Sequence, residues 1–260
     1  MPTIVALVKH VPDTWSTKSL EDDHTLDRTS VDNIIDEINE YSVEQALRLR
    51  DENPDENYRV VALTMGPAQA DEALRKALAM GADDAVLVSD DALAGADALS
   101  TAWTLNAAIN TLEDVQLITL GNEASDASTG TLAGLLAEYR QLPALTELQQ
   151  VELSGGAVKG SREDARGTWV LEAALPAIIS VTDKADKPRF PNFKGLMAAK
   201  KAEITTLSVA DLGIDAIAPT TTVTESSKRP PRTAGEVISE PQPQDAAKKI
   251  ADFLAAKNLI

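Results

Sequence analysis

The chain has 260 residues, carries 41 acidic against 24 basic side chains for a formal charge of −17, and contains no cysteine. Without cysteine there are no disulfides, iron–sulfur ligands or thiolate nucleophiles, and so negative a field makes nucleic acid and anionic lipid surfaces poor partners. His10 and His24 are too few for a histidine-based metal site, and no apolar run reaches the roughly 20 residues of a membrane-spanning helix.

Residues 3–8 (TIVALV) are continuously apolar and predict a strand. They open a terminus without the basic lead or cleavage pattern of a signal peptide, so a cytoplasmic location is expected. Residues 42–53 (SVEQALRLRDEN) read as a helix opened by a Ser42/Gln45 capping box. A strand follows at 58–64 (YRVVALT), then Gly66-Pro67 and the helical ADEALRKALAM, with Gly81 placed as a glycine just beyond a helix end. Strand 84–88, helix 96–112, strand 115–120 and helix 131–142 complete the first half.

Fully apolar strands alternating with amphipathic helices predict an α/β, Rossmann-like nucleotide-binding core, a parallel sheet covered on both faces. Ligands of such sheets sit beyond the carboxyl ends of the strands. Three turn-like stretches fall on that edge: 9–13 (KHVPD), 64–67 (TMGP) and 121–130 (GNEASDASTG). From about residue 148 the pattern changes to alternation, with hairpin signals at Gly155-Gly156 and Arg166-Gly167, so added antiparallel strands are expected. Residues 183–201 read as irregular, 216–244 as an extended arm rich in Thr, Ser and Pro, and 245–257 as an amphipathic helix. The expected organisation is a core of residues 1–215 and a C-terminal arm and helix, 216–260.

The loop 121–130 contains small residues, hydroxyls and no lysine. Two readings fit it. One is a solvated turn with an Asp or Ser cap. The other is a neutral cradle in which backbone amides, a helix N-terminus and Ser125, Ser128, Thr129 and Thr131 hold a phosphate. The P-loop pattern and an early G-x-G-x-x-G are both missing. On the second reading the loop retains a nucleotide instead of cleaving it.

Other candidates weigh less. Glu37, Glu40 and Glu44 read as a solvated acidic face, Asp13 beside His10 as a strand-end turn, and Trp103 and Trp169 as packing. No nucleophile, metal or acid/base constellation stands out, so the chain is expected to perform no bond-making chemistry of its own. The rival readings are an adenine-nucleotide hydrolase or adenylyl transferase, which needs a cationic clamp, and a shorter nucleotide-binding stress-type protein.

MPTIVALVKHVPDT, SVEQALRLRDEN, VVALTMGPAQADEALRKALAMGADDAVLV, LEAALPAIISV, PRFPNFKGLMAAKK and PPRTAG stand in this order along nearly the whole chain. In this the sequence resembles the beta subunit of electron-transfer flavoprotein. The resemblance implies an adenine-nucleotide-alpha-hydrolase-like fold and a heterodimer with an alpha subunit that carries most of the FAD. It also implies AMP in beta as a structural ligand, acyl-CoA dehydrogenases as electron donors and a membrane-bound quinone oxidoreductase as acceptor.

Carried over position by position, the AMP site comprises Leu7, Asp36, Glu37, Ile38, Asn39, Met65, Gly121, Asn122, Glu123, Ser125, Asp126, Ser128, Thr129, Gly130, Thr131 and Leu132. Residues 188–201 correspond to a recognition loop, with Phe193 as anchor and Lys194, Met197, Lys200 and Lys201 beside it. The bland alternative there is a lysine-solubilised loop with Phe193 folded inward. Glu163 matches a glutamate proposed to tether the flavin domain. The segment Asp36-Glu-Ile-Asn-Glu40 and the thinned Ser125-Asp126-Ala127-Ser128 depart from the family pattern. Thr14 stands where some members have a tyrosine near the flavin. Members of the electron-bifurcating type hold a second FAD in the same crevice, which keeps that occupant as the alternative.

Overall fold

The computed structural model describes residues 1–215, 218–235, 237–239 and 242–260. It begins with β1 (Thr3–Leu7), the short strands β2 (His10–Pro12) and β3 (Asn33–Ile35), α1 (Glu37–Glu52), β4 (Arg59–Met65), α2 (Asp71–Met80) and β5 (Asp84–Val88). Next come α3 (Ala98–Ile109), β6 (Val115–Gly121), α4 (Leu132–Arg140), β7 (Ala144–Leu148), β8 (Gln150–Ser154), β9 (Ala157–Asp164), β10 (Gly167–Ala174) and β11 (Ala177–Val181). The chain ends with α5 (Phe193–Lys201), β12 (Thr205–Leu207) and α6 (Pro243–Ala256).

Seven strands form one sheet in the order β12-β5-β4-β1-β6-β11-β7, and every pairing in it is parallel. All five residues of β1 are buried, because successive side chains feed two different core layers. Ile4 and Ala6 join Val60, Ala62, Leu117 and Ile179 under α1 and α2. Val5 and Leu7 join Val61, Leu63, Ile118 and Ile178 under α3 and α4. From β1 the chain steps outward through β4 to β5, then crosses back to β6 on the other side of β1. The order therefore reverses between β1 and β6, the point in such sheets beyond whose strand ends ligands lie.

Four local readings are corrected. α1 starts at Glu37, five residues before Ser42, and the Ser42/Gln45 pattern is no capping box. Both side chains lie inside the helix: Ser42 Oγ donates to the Asn39 carbonyl and Gln45 Nε2 to Asp186. Glu37 and Glu40 in the first turn complement the helix dipole, which favours the earlier start. Residues 183–201 are not wholly irregular, since α5 forms once Asn192 Oδ1 accepts the Gly195 amide as an N-cap. The stretch 167–181 is not one antiparallel run. It divides at Pro176, which has no N–H for a ladder, and β11 enters the parallel sheet between β6 and β7. Residues 9–13 are not all turn, because His10–Pro12 pair with Asn33–Ile35.

The sheet β10-β9-β8 is antiparallel, with turns at Gly155-Gly156 and ahead of Gly167. The chain divides into two compact units, Met1–Thr224 and Glu225–Ile260. The expected boundary at residue 216 lies outside the described residues. Thr220 belongs to the first unit, donating from its amide and hydroxyl to Asp97, which also caps α3. The second unit has α6 as its described regular element, with Ile250 and Phe253 about half exposed.

Candidate functional site

The crevice between β1 and β6 is walled by the N-terminus of α1 and the loop after β6. At Gly121 the walls meet: a Cβ there would lie 2.6 Å from Ile38 Cγ2 and 3.1 Å from Asn39 Nδ2. Only glycine permits that approach. Asn39 is buried, and its Oδ1 accepts the Lys9 amide at 2.8 Å just past β1. Asp36 is buried ahead of α1; its Oδ2 accepts the Ser125 amide at 2.8 Å, and its backbone amide donates to the Lys9 carbonyl.

Asp36 Oδ1 has no partner among the described residues. Burial pushes this carboxyl above its ordinary range, the Ser125 hydrogen bonds oppose the shift, and the neighbouring Asp126 charge adds to it. The Asp126 side chain is also fully buried, but both its oxygens are engaged: Lys9 Nζ lies 2.7 Å from Oδ1 and Arg28 Nη2 bonds Oδ2. Burial would raise the Asp126 carboxyl; Lys9 and Arg28 outweigh it and hold the group below the usual range. The cation-free description of this loop is thereby corrected. The loop itself has no lysine, but folding supplies it with two cations from elsewhere in the chain.

Beyond Asp126 the loop turns outward. Ser125, Ser128, Thr129, Gly130 and Thr131 are exposed. Ser128 and Gly130 adopt positive φ of 47° and 61°, and Gly130 folds back toward the Asn122 carbonyl and Glu123 Oε2. Leu132 begins α4, and no side chain caps that helix among the described residues, so its first amides are left without a side-chain acceptor. The Leu7 side chain is buried in the second core layer, so only its main chain can face the crevice. Met65 stands at the same edge on β4, and Glu37 Oε1 accepts Thr14 Oγ1 at 3.0 Å. Asp36, Ile38, Asn39, Gly121, Ser125 and Asp126 thus form one contacting cluster. His10 faces Glu72 at 3.9 Å, and burial lowers its pKa.

The second set of predicted residues lies on α5. Phe193 is 79% exposed and Phe190 is 95% exposed, with Leu196 and Met197 about half exposed beside them. Lys194, Lys200 and Lys201 are exposed around this apolar ridge. The helix is fixed from behind. Ala199 is buried, Arg75 donates to its carbonyl, and a Cβ on Gly195 would meet the Ala79 carbonyl oxygen at 2.5 Å. Glu163 is exposed on β9, opposite Thr168 of β10.

One ion pair overturns the reading of Glu44 as solvated. Glu44 is 7% exposed and takes three bonds from Arg189: the backbone amide at 3.0 Å, Nε at 2.8 Å and Nη2 at 2.9 Å. Arg189 also bonds Asp51 and thereby ties the segment leading to α5 onto α1. No local signal reveals a pair 145 residues apart; only the charged residue on a helix face otherwise rich in Val43, Ala46 and Leu47 hints at a partner. Trp103 packs edge-on against Tyr139 at 5.6 Å, whereas Trp169 is 41% exposed with its Nε1 on Asp164. Among the described residues no cluster of His, Asp and Glu is arranged to hold a metal, and no helix is long and apolar enough to cross a membrane.

A model of the electron transfer flavoprotein domain matches residues 23–212. The chain is 44% identical over 268 residues to the electron transfer flavoprotein subunit beta of Mycobacterium tuberculosis, with 100% of both chains covered. It is 32% identical over 270 residues to the same-named subunit of Megasphaera elsdenii, covering 99% of each. It is also 32% identical over 262 residues to the caffeyl-CoA reductase-Etf complex subunit CarD of Acetobacterium woodii, again covering 99% of each.

Proposed function

Because the chain belongs to the electron transfer flavoprotein family, as a beta subunit, we propose that it is the nucleotide-holding scaffold of a cytoplasmic alpha–beta heterodimer. In this reading alpha carries most of the FAD, and that flavin supplies the one- and two-electron chemistry. The chain described here contributes binding and shape. Its crevice holds AMP as a structural ligand, and Glu163 contacts the flavin-bearing domain. The ridge of Phe193 and Met197 docks acyl-CoA dehydrogenases, whose electrons pass on toward the quinone pool through a quinone oxidoreductase.

The observation that carries the nucleotide reading is the buried Asp36 carboxylate, with one oxygen on the Ser125 amide and the other unpartnered. A buried acceptor left open attracts a neutral donor, such as a ribose hydroxyl or an adenine amine. A phosphate would be repelled there. It fits instead along the exposed hydroxyls of Ser125, Ser128, Thr129 and Thr131, at the N-terminus of α4. The docking reading is supported by the exposed aromatic anchor with flanking lysines, which suits a partner with an apolar pocket and an acidic rim.

The chain purified without its partner tests this by its visible spectrum and its partner binding. The expected result is no flavin band, with heterodimer formation when alpha is added. A stoichiometric flavin spectrum from the chain alone assigns the crevice to a second FAD, the alternative that the relationship to the Acetobacterium woodii complex subunit keeps in view.

A further inference from the structure

We propose that Lys9, Arg28 and Asp126 form an electrostatic pin that closes the crevice and sets how long a nucleotide stays in it. The inference rests on the crevice being a nucleotide site, and it assigns to these three residues a positioning role instead of ligand contact. The loop 121–130 is exposed at Ser125 and Ala127, yet the carboxylate between them is turned inward and fully buried. A buried carboxylate is stable only where its charge and lone pairs are met, and here Lys9 and Arg28 meet one oxygen each.

The three residues come from three different sides of the crevice. Lys9 follows β1 and is locked at both backbone atoms, its amide on Asn39 Oδ1 and its carbonyl under the Asp36 amide. Arg28 belongs to the segment 13–32, whose ends are joined by the Asp13 amide on the Asp32 carbonyl. From β3, Asn33 Nδ2 holds the Arg28 carbonyl at 2.7 Å, and within the segment the Asp27 carboxylate gathers the amides of Thr29 and Ser30. Asp126 belongs to the loop after β6. A ligand lying between this loop and α1 leaves only if the loop lifts, and lifting exposes or strands the buried charge. Asp126 therefore has the wrong surroundings for a phosphate neighbour and the right ones for a fastening.

Arg28 is about two-fifths exposed, so water screens part of the interaction. Loss of that one partner is expected to speed release by about tenfold, with most of the effect in the dissociation rate. The full-length chain is loaded with AMP, and separately with adenosine, and dissociation is followed after dilution into competitor. Arg28→Gln is expected to raise both off-rates by the same factor, and Arg28→Lys to restore most of the retention. Hydrogen exchange is expected to rise together in residues 13–32 and 121–131 of Arg28→Gln.

Unchanged off-rates overturn the proposal. So does an effect confined to AMP, which marks Arg28 as a phosphate ligand, or faster exchange confined to residues 13–32. A wild-type chain that retains neither adenosine nor AMP removes the nucleotide reading itself and the dwell-time claim with it. Retention by the wild type with no change in the variant removes the pin alone.

Discussion

The crevice and the α5 ridge sit in the same compact unit and are built on opposite plans. At the crevice, charge is buried and the loops are fastened: Asp36 and Asp126 lie out of solvent, and Gly121 brings two walls into contact. At α5 the charges stay outside and the apolar groups do too, with Phe193 on the helix and Phe190 just before it facing solvent, while buried Ala199 and its bond from Arg75 secure the helix from behind. If the crevice holds the proposed nucleotide, the first plan suits a ligand that is kept, since the proposed pin ties its release to the breaking of buried pairs. The second suits a partner that comes and goes, because docking disturbs nothing behind the ridge.

The comparison breaks most sharply at Gly121. Gly121→Val forces a side chain into Ile38 and Asn39 and is expected to cost about 3 kcal/mol in chemical denaturation, with loss of nucleotide retention. An unchanged midpoint would show that the walls can part freely. Next is the fastening behind α5. Arg189→Met leaves the buried Glu44 carboxylate without its guanidinium and is expected to cost about 2 kcal/mol, less than a fully buried pair because Arg189 is partly exposed. Glu44→Gln in the same background should recover part of that loss, since it removes the stranded charge.

The ridge itself should behave differently. Phe193→Ala is expected to leave stability within about 0.5 kcal/mol of the parent while weakening dehydrogenase docking by about tenfold, read by titration calorimetry. A fall in stability with docking intact would place Phe193 in the fold's packing instead.

The smallest effect is a matter of sign. Burial raises the Asp36 carboxyl, so its contribution to stability is complete below the unfolded value and is lost as pH rises through the folded one. Asp36→Asn should therefore raise the unfolding midpoint at pH 7 and not at pH 3. Asp126 runs the other way. Its depressed value gives a contribution present above the ordinary carboxylate range and lost as pH falls through the folded value, so Asp126→Asn should lower the midpoint at pH 7.

Much of the core was legible because β1, β4, β5 and β6 are buried on both faces, and burial on both faces writes a continuous apolar run. The approach of Asp36–Asn39 to Gly121–Ser125 was expected from the family resemblance and not from the strand-end rule, since β3, the strand before Asp36, pairs with β2 outside the parallel sheet. The pairs that fasten the molecule were not. Arg28 and Asp126 are 98 residues apart, and Arg189 and Glu44 are 145 apart. An ion pair leaves no periodic trace at either end. α5 was hidden by Pro188 and Pro191 just before it and by its nine-residue length. At α1, a hydroxyl three residues ahead of a glutamine imitated a capping box, whereas the helix starts after Asp36, whose side chain bonds the Ser125 amide and not the helix.

The heterodimer, purified, denatured and weighed for its released small molecules, addresses the central claim most directly. One AMP per beta chain alongside the flavin is the predicted result. FAD with no AMP, whether one or two per heterodimer, would contradict it.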